Sequence, residues 1–404
     1  MSPKPDRRPT AEASSRRPGH RLVGRASWVV AATLVFATVG PSAVHADTGA
    51  RSTRVAQHIL AIAREVKNEN DLNAVILRVD IGRRTVVDAA LGHSMTGIPA
   101  TTDMHFRIGS IAIPYLTTAL LQLTEERRLS LDDKVSKWFP AYPNADKITL
   151  RMLATATSGY EDYTQNNPEF DEALAANEFR QWTEDELLGI AFAKPPACDP
   201  GACFHYAHTN FIVLGKILSR VTGQPVASLL RERVLRPLHL RNTAVSSRPG
   251  IAPPVLHAFT RRLAGYPYED STFWNPSWSI GTGLIMTGTI DDVARAGPAI
   301  GQGRLLSRRA HRQQIAPPDL PAGMTNPKLY YGLGVLVANS WIVQNPQLSG
   351  YIGLQGYLPS RRITIAVEST YGPNSNQDFS YSTEIFDRIA ANLAPGHAPA
   401  VPPG

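Results

Sequence analysis

The stretch that most constrains this chain is Phe106-Arg107-Ile108-Gly109-Ser110-Ile111-Ala112-Ile113, together with the apolar run directly after it. In that run apolar residues recur at Leu116, Ala119, Leu120 and Leu123, the spacing of a buried helix. Pro114 falls in its first turn, where proline is tolerated. Leu129-Ser130-Leu131-Asp132-Asp133 and the segment from Lys134 to Pro140 close the unit. A serine at the head of a buried helix is commonly a helix cap.

The elements around this stretch set the fold class. Val55, Ile59, Leu60, Ile62, Ala63 and Val66 make residues 54–66 an amphipathic helix. Residues 74–80 read as a strand that turns at Ile81-Gly82 into a partner over 84–90, and 91–105 read as loop. A short helix from Ile148 ends in Thr157-Ser158-Gly159, and 169–193 is polar and helix-rich. Residues 211–221 form an apolar helix stopped by Gly223, and 226–235 continue helical. Residues 244–280 are irregular. Strands are expected over 330–337, around Gln355-Gly356-Tyr357 and over 363–367, before a closing amphipathic helix over 382–393. The Pro-rich end, 394–404, is expected to fray. No internal repeat is visible. This order predicts an α/β plus all-α fold: one antiparallel sheet flanked by N- and C-terminal helices, with a large helical insertion. The domain spans 47–393, its sheet parts about 54–105 and 325–393 and its helical part about 106–324.

Residues 1–46 read as an export signal. Lys4, Arg7, Arg8, Arg16, Arg17, Arg21 and Arg25 make a basic start, Trp28 to Val39 is an apolar run too short for a bilayer span, and Val44-His45-Ala46 offers a cleavage-type site. Arg16-Arg17 leaves Sec and twin-arginine export both open. The whole chain carries a net charge of +7, and without the leader about +2 remains, which argues against a nucleic-acid partner. The mature protein is thus expected in the cell envelope or the medium, with no membrane span. Cys198 and Cys203 flank Asp199-Pro200-Gly201, and in an exported chain such a pair reads as a disulfide. The alternative is a zinc site completed by His205 or His208.

The Ser110 stretch resembles the nucleophile segment of the serine β-lactamase and penicillin-binding-protein superfamily, where a serine opens a buried helix in an S-x-x-K motif. Residues 148–160 and 280–293 resemble two further segments of that family, and the likeness runs from about 55 to 393. It implies the β-lactamase/transpeptidase-like architecture described above. In that family the Lys is the base, a Y-x-N motif supplies a Tyr that relays protons, and a K-T-G or H-x-G edge strand supplies a cation and part of the oxyanion hole. Here Ser110 matches the nucleophile, but Ile113 occupies the Lys position. Tyr206 matches the motif Tyr, and His208 stands where Asn is usual. The third motif falls on Gly350-Tyr351-Ile352 without a gap, or on Tyr351-Ile352-Gly353 with one deletion, and the second register is preferred. Neither brings a Lys or His. Backbone N–H groups at Ser110 and Gly353 are the implied oxyanion donors.

Three functions are compatible with these residues. The first is a secreted protein of this fold with impaired catalysis that binds a small-molecule or cell-wall peptide ligand, or a protein. The second is an active serine hydrolase (an esterase, D-Ala carboxypeptidase or β-lactamase type) using Ser110 with Tyr206 or His208 as base. The third is a structural envelope protein. Losing the general base costs orders of magnitude in rate, which favours the first. No cofactor is expected: Gly281-Thr282-Gly283 is too short for a nucleotide loop. The oligomeric state is left open.

Overall fold

The computed structural model describes residues 43–261, 266–399 and 401. The chain divides into two compact units, Met1–Asp47 and Thr48–Gly404, and the second holds the sheet and the inserted helices. The expected export leader lies outside the described residues as far as residue 42.

Strands of the main sheet are β1 (Ala74–Ile81), β2 (Arg84–Met95), β3 (Ile98–Pro99), β4 (Leu329–Tyr331), β5 (Leu336–Ala338), β6 (Trp341–Gln344), β7 (Gln347–Leu348), β8 (Tyr351–Leu358) and β9 (Ile363–Thr370). Every pairing is antiparallel and the order is β3-β2-β1-β9-β8-β6-β5-β4, with β7 also on β8. β1 pairs with β9 from Ala74↔Thr370 to Ile81↔Ile363, so the first and last parts of the chain make one sheet and the middle is an insertion. Alternation along β1 decides which layer each face meets. Val75, Leu77 and Val79 join Ile365 and Val367 in a core beneath helix α1 (Ala43–Glu69) and the closing helix (Tyr381–Leu393), through Ile59, Val66, Ile385 and Phe386. Ala74 and Ile76 face the larger core shared with the inserted helices.

Within the insertion, a 3₁₀ turn (Gly109–Ala112) leads into α2 (Ile113–Glu125). After it come α3 (Leu150–Ala154), α4 (Pro168–Ala176), α5 (Glu184–Phe192) and α6 (His208–Thr222). The side chain of Thr149 accepts from Met152 N–H at the start of α3, and Thr183 and Glu186 form a reciprocal capping box on α5. Gly223 ends α6 as expected, in the left-handed conformation at φ +71°.

Three expectations need correction. The loop expected over 91–105 is partly strand, since β2 runs on to Met95 and pairs with β3. The strand expected over 330–337 is broken between β4 and β5, because Gly334 is at φ +69° and donates its N–H to Ala154 O instead of a ladder. The described part of the tail, 394–399 and 401, is docked rather than frayed: Trp341 Nε1–H donates to His397 O at 2.8 Å, and Val401 is buried in the core beside the closing helix.

Candidate functional site

Ser110 is positioned from both sides. Phe106 and Arg107 pair with Gly288 and Thr287 in a small sheet, and the buried Arg107 guanidinium donates to Pro249 O at 2.8 Å. Gly109 takes φ +49°, and a Cβ there would meet Pro346 at 2.5 Å, so the turn before Ser110 lies directly against the segment between β6 and β7. Ser110 sits at the start of the helical run, where backbone N–H groups have no intrahelical acceptor.

The Ser110 and Tyr206 hydroxyls stand 3.0 Å apart, bringing together two residues that the sequence separates by 96 positions. Burial pushes the Tyr206 phenol well above its ordinary value, outweighing the hydrogen bond with Ser110, which pulls it down. Tyr206 is therefore a neutral phenol at physiological pH. One helical turn beyond Ser110, Ile113 is fully buried in the larger core, against Thr117 and Gly334.

His208 opens α6 beside Tyr206, with the two rings edge-on at 5.4 Å. Its partner is Asp162, a fully buried carboxylate that nothing in the sequence marked. Asp162 Oδ2 accepts from the His208 backbone N–H at 2.5 Å and lies 2.8 Å from His208 Nδ1. A carboxylate only accepts, so Nδ1 carries the proton. Oδ1 accepts from Thr164 N–H and Oγ1–H, both at 2.6 Å, and from Gln165 N–H at 3.2 Å. Burial alone would raise this carboxyl, but the His208 charge and the hydrogen bonds from His208 and Thr164 hold it well below the usual carboxylate range.

The third motif is not where the sequence pointed. Tyr351, Ile352 and Gly353 lie on β8, one strand away from the edge that faces Ser110. Tyr351 is buried and donates to Leu256 O at 2.6 Å. Ile352 lies in the core under the closing helix, not in the larger core that holds Ile113. Gly353 N–H donates to Pro346 O at 2.9 Å and is committed to that bond, which removes it as an oxyanion donor. That bond makes Pro346 and Gly353 a hydrogen-bonded pair. By antiparallel alternation the N–H of the next residue, Gln347, points off the sheet edge. By that alternation Gln347 N–H, and by its place at the helix start Ser110 N–H, are backbone donors left without a ladder or helical acceptor.

Two adjoining cavities, of about 310 and 480 Å³, share Ser110, Gln165, His208, Pro346 and Gln347. The smaller adds Asp171, Leu174 and Trp278, and the larger adds Phe204, Tyr206, Tyr331 and Asn345. Cys198 and Cys203 form a disulfide, so the zinc alternative loses both thiolates. Among the described residues no cluster of three or more His, Cys, Asp or Glu could hold a metal, and no helix is long and apolar enough to cross a membrane.

The sequence model of the family described as Beta-lactamase matches residues 61–387. Penicillin-binding protein 4* of Bacillus subtilis is 24% identical over 310 residues, covering 71% of this chain and 64% of that one. Esterase EstB of Burkholderia gladioli is 27% identical over 234 residues, covering 50% and 59%. The chain therefore spans less than two-thirds of the length of either relative. Among solved structures, a D-stereospecific amidohydrolase from Streptomyces sp. superposes with a TM-score of 0.71 at 25% identity, over 86% of this chain and 98% of the other.

Proposed function

The chain belongs to the β-lactamase family, and we propose that it is a binding member of it, in which the serine-hydrolase fold holds a ligand without turning it over efficiently. One observation carries this reading. The side chain one helical turn after Ser110 is a fully buried isoleucine, so Ser110 is left with a neutral phenol as its partner. A serine hydroxyl without an activating base is a weak nucleophile. The cavities meanwhile keep what binding needs: aromatic surface from Phe204, Tyr331 and Trp278, and amide groups from Gln165, Asn345 and Gln347. That lining suits a small peptide-like ligand, such as a cell-wall peptide. Export to the envelope or medium fits the basic and apolar leader and the Cys198–Cys203 disulfide.

The second reading is a working hydrolase, and the retained Ser110–Tyr206 contact favours it. An esterase among the relatives agrees with that direction. The two readings separate by intact mass of the protein after incubation with a β-lactam and with a fluorophosphonate, alongside Ser110→Ala. The binding reading expects no adduct from a folded sample. A mass increase that Ser110→Ala abolishes would overturn it and return the search to Tyr206 and His208 as the base.

A further inference from the structure

We propose a binding site separate from Ser110: the cavity rimmed by Arg231, Arg236, His239 and Arg241 takes a soluble ligand that carries two linked phosphate groups. It shares no lining residue with the two cavities beside Ser110, so it stands whether or not Ser110 turns a ligand over.

The site is built by the way a helix ends. Helix α7 (Val226–Leu230) runs into a π-helical turn (Arg231–Leu235), and the chain then reverses at His239, which takes φ +57°. Leu240 N–H donates back to Leu235 O at 2.9 Å and His239 N–H to Arg236 O at 3.0 Å, the paired bonds of a Schellman cap. Leu235, Leu238 and Leu240 are buried. The same turn leaves Arg231, Arg236, His239 and Arg241 exposed around one cavity of about 390 Å³. Glycine is the usual residue at the reversing position, because it alone takes the left-handed conformation without a steric cost. Here that strained position carries an imidazole at the rim of the cavity, and strain of this kind concentrates at ligand sites.

No protein carboxylate neutralises this rim. Among the described residues, Arg231, Arg236 and Arg241 form no ion pair, and no Asp or Glu lines the cavity. The acidic groups close by are otherwise engaged or lie outside it. Glu232 sits between Arg231 and Arg233 in the chain and does not line the cavity. Glu126 is bound by Arg233 through two bonds, at 2.6 and 3.1 Å. Asp292 is buried and accepts from Asn242 N–H at 2.7 Å and from Thr243 Oγ1–H at 2.9 Å. Three guanidinium charges are therefore left for a ligand.

The residue type selects the ligand's chemistry. A guanidinium is planar, always charged, and meets phosphate oxygens two at a time. A phosphate monoester carries about −1.5 to −2 at neutral pH, so three guanidinium charges match two linked phosphates better than one. A lipid surface is the poorer fit. Among the described residues, no exposed large apolar side chain lies between 231 and 245 to enter a bilayer.

The test is calorimetric titration of the full-length protein with inorganic pyrophosphate and with orthophosphate, in metal-free buffer at pH about 7 and about 50 mM salt. Pyrophosphate is expected to bind about tenfold tighter than orthophosphate, and more weakly as salt is raised. Arg236→Gln and Arg241→Gln should each weaken pyrophosphate binding about fivefold. Arg64→Gln, which alters an exposed arginine on α1 outside the cavity, should leave it within about twofold. All three side chains are exposed, so the substitutions do not disturb the core. Equal affinity for the two anions, no binding of pyrophosphate, or an equal loss in all three variants overturns the proposal. Binding to phosphatidylglycerol vesicles that pyrophosphate does not compete away also overturns it, in favour of a membrane surface.

Discussion

Ser110 Oγ and Tyr206 OH lie 3.0 Å apart, and among the described residues no Lys, Arg, Asp or Glu lines the cavity that holds them both. A tyrosine can take a serine's proton only if something stabilises its phenolate. Here burial acts the other way and raises the phenol. At pH about 10, where half of an ordinary tyrosine is ionised, Tyr206 should still be protonated. The difference in phenolate absorbance between the wild type and Tyr206→Phe should then be absent at that pH. A Tyr206-dependent phenolate signal below pH about 10 would mean that a positive group reaches the pair, and the hydrolase reading would gain.

Ile113 should behave as a core residue and not as a site residue. It is fully buried, and its neighbours Gly334 and Thr117 close over it. Ile113→Ala leaves a cavity in a packed interior and is expected to cost about 3 kcal/mol of stability, read as a lower urea midpoint at unchanged m-value. A loss under about 1 kcal/mol would mean that the position is loosely packed and was not rebuilt as core.

Ser110 and Ile113 were legible because they belong to one contiguous segment, where the helical spacing after Ser110 fixes its register. The sheet was legible for a similar reason: β1 and β2 are a local hairpin with a clear alternation. Asp162 was not legible. It meets His208 only because the loop after α3 folds back on the start of α6, and a lone Asp in a loop carries no spacing. The third motif failed for a different reason. The edge facing Ser110 is short and interrupted by Pro346, which cannot donate to a ladder. The stronger pattern lies one hairpin later, in β8, beyond a turn in which Ser349 and Gly350 take φ +44° and +89°. The third-motif pattern legible in the sequence therefore falls on a fully buried strand.

Asp162 gives a pH signature whose sign is fixed. Its folded value is depressed, so its contribution is present above the ordinary carboxylate range and is lost as pH falls towards the folded value. Asp162→Asn, which removes the charge of a buried carboxylate that accepts hydrogen bonds from His208, Thr164 and Gln165, is expected to cost about 3 kcal/mol at pH about 7. The gap between the wild type and this variant should narrow as pH falls below about 4. Urea unfolding at the two pH values checks it, and a gap that stays constant or widens on acidification would contradict the assignment of Asp162 as an ionised partner of His208.

Asp387 has the opposite sign. It lies on the closing helix, where burial pushes its carboxyl up to about 7 against a hydrogen bond from the Val401 backbone, which pulls it down. A raised acid contributes its stability fully below the unfolded carboxylate value of about 4 and loses it as pH rises through the folded value. Asp387→Asn keeps an acceptor for Val401 N–H and removes the charge that must form in the core. The variant should match the wild type at pH about 4 and exceed it at pH about 8. The excess is on the order of 1–2 kcal/mol, reduced from the full shift because the side chain is partly exposed. Thermal unfolding across that range provides the measurement. A variant less stable than the wild type at pH about 8 would mean that the ionised carboxylate has a partner, and that the docked tail depends on charge at this position.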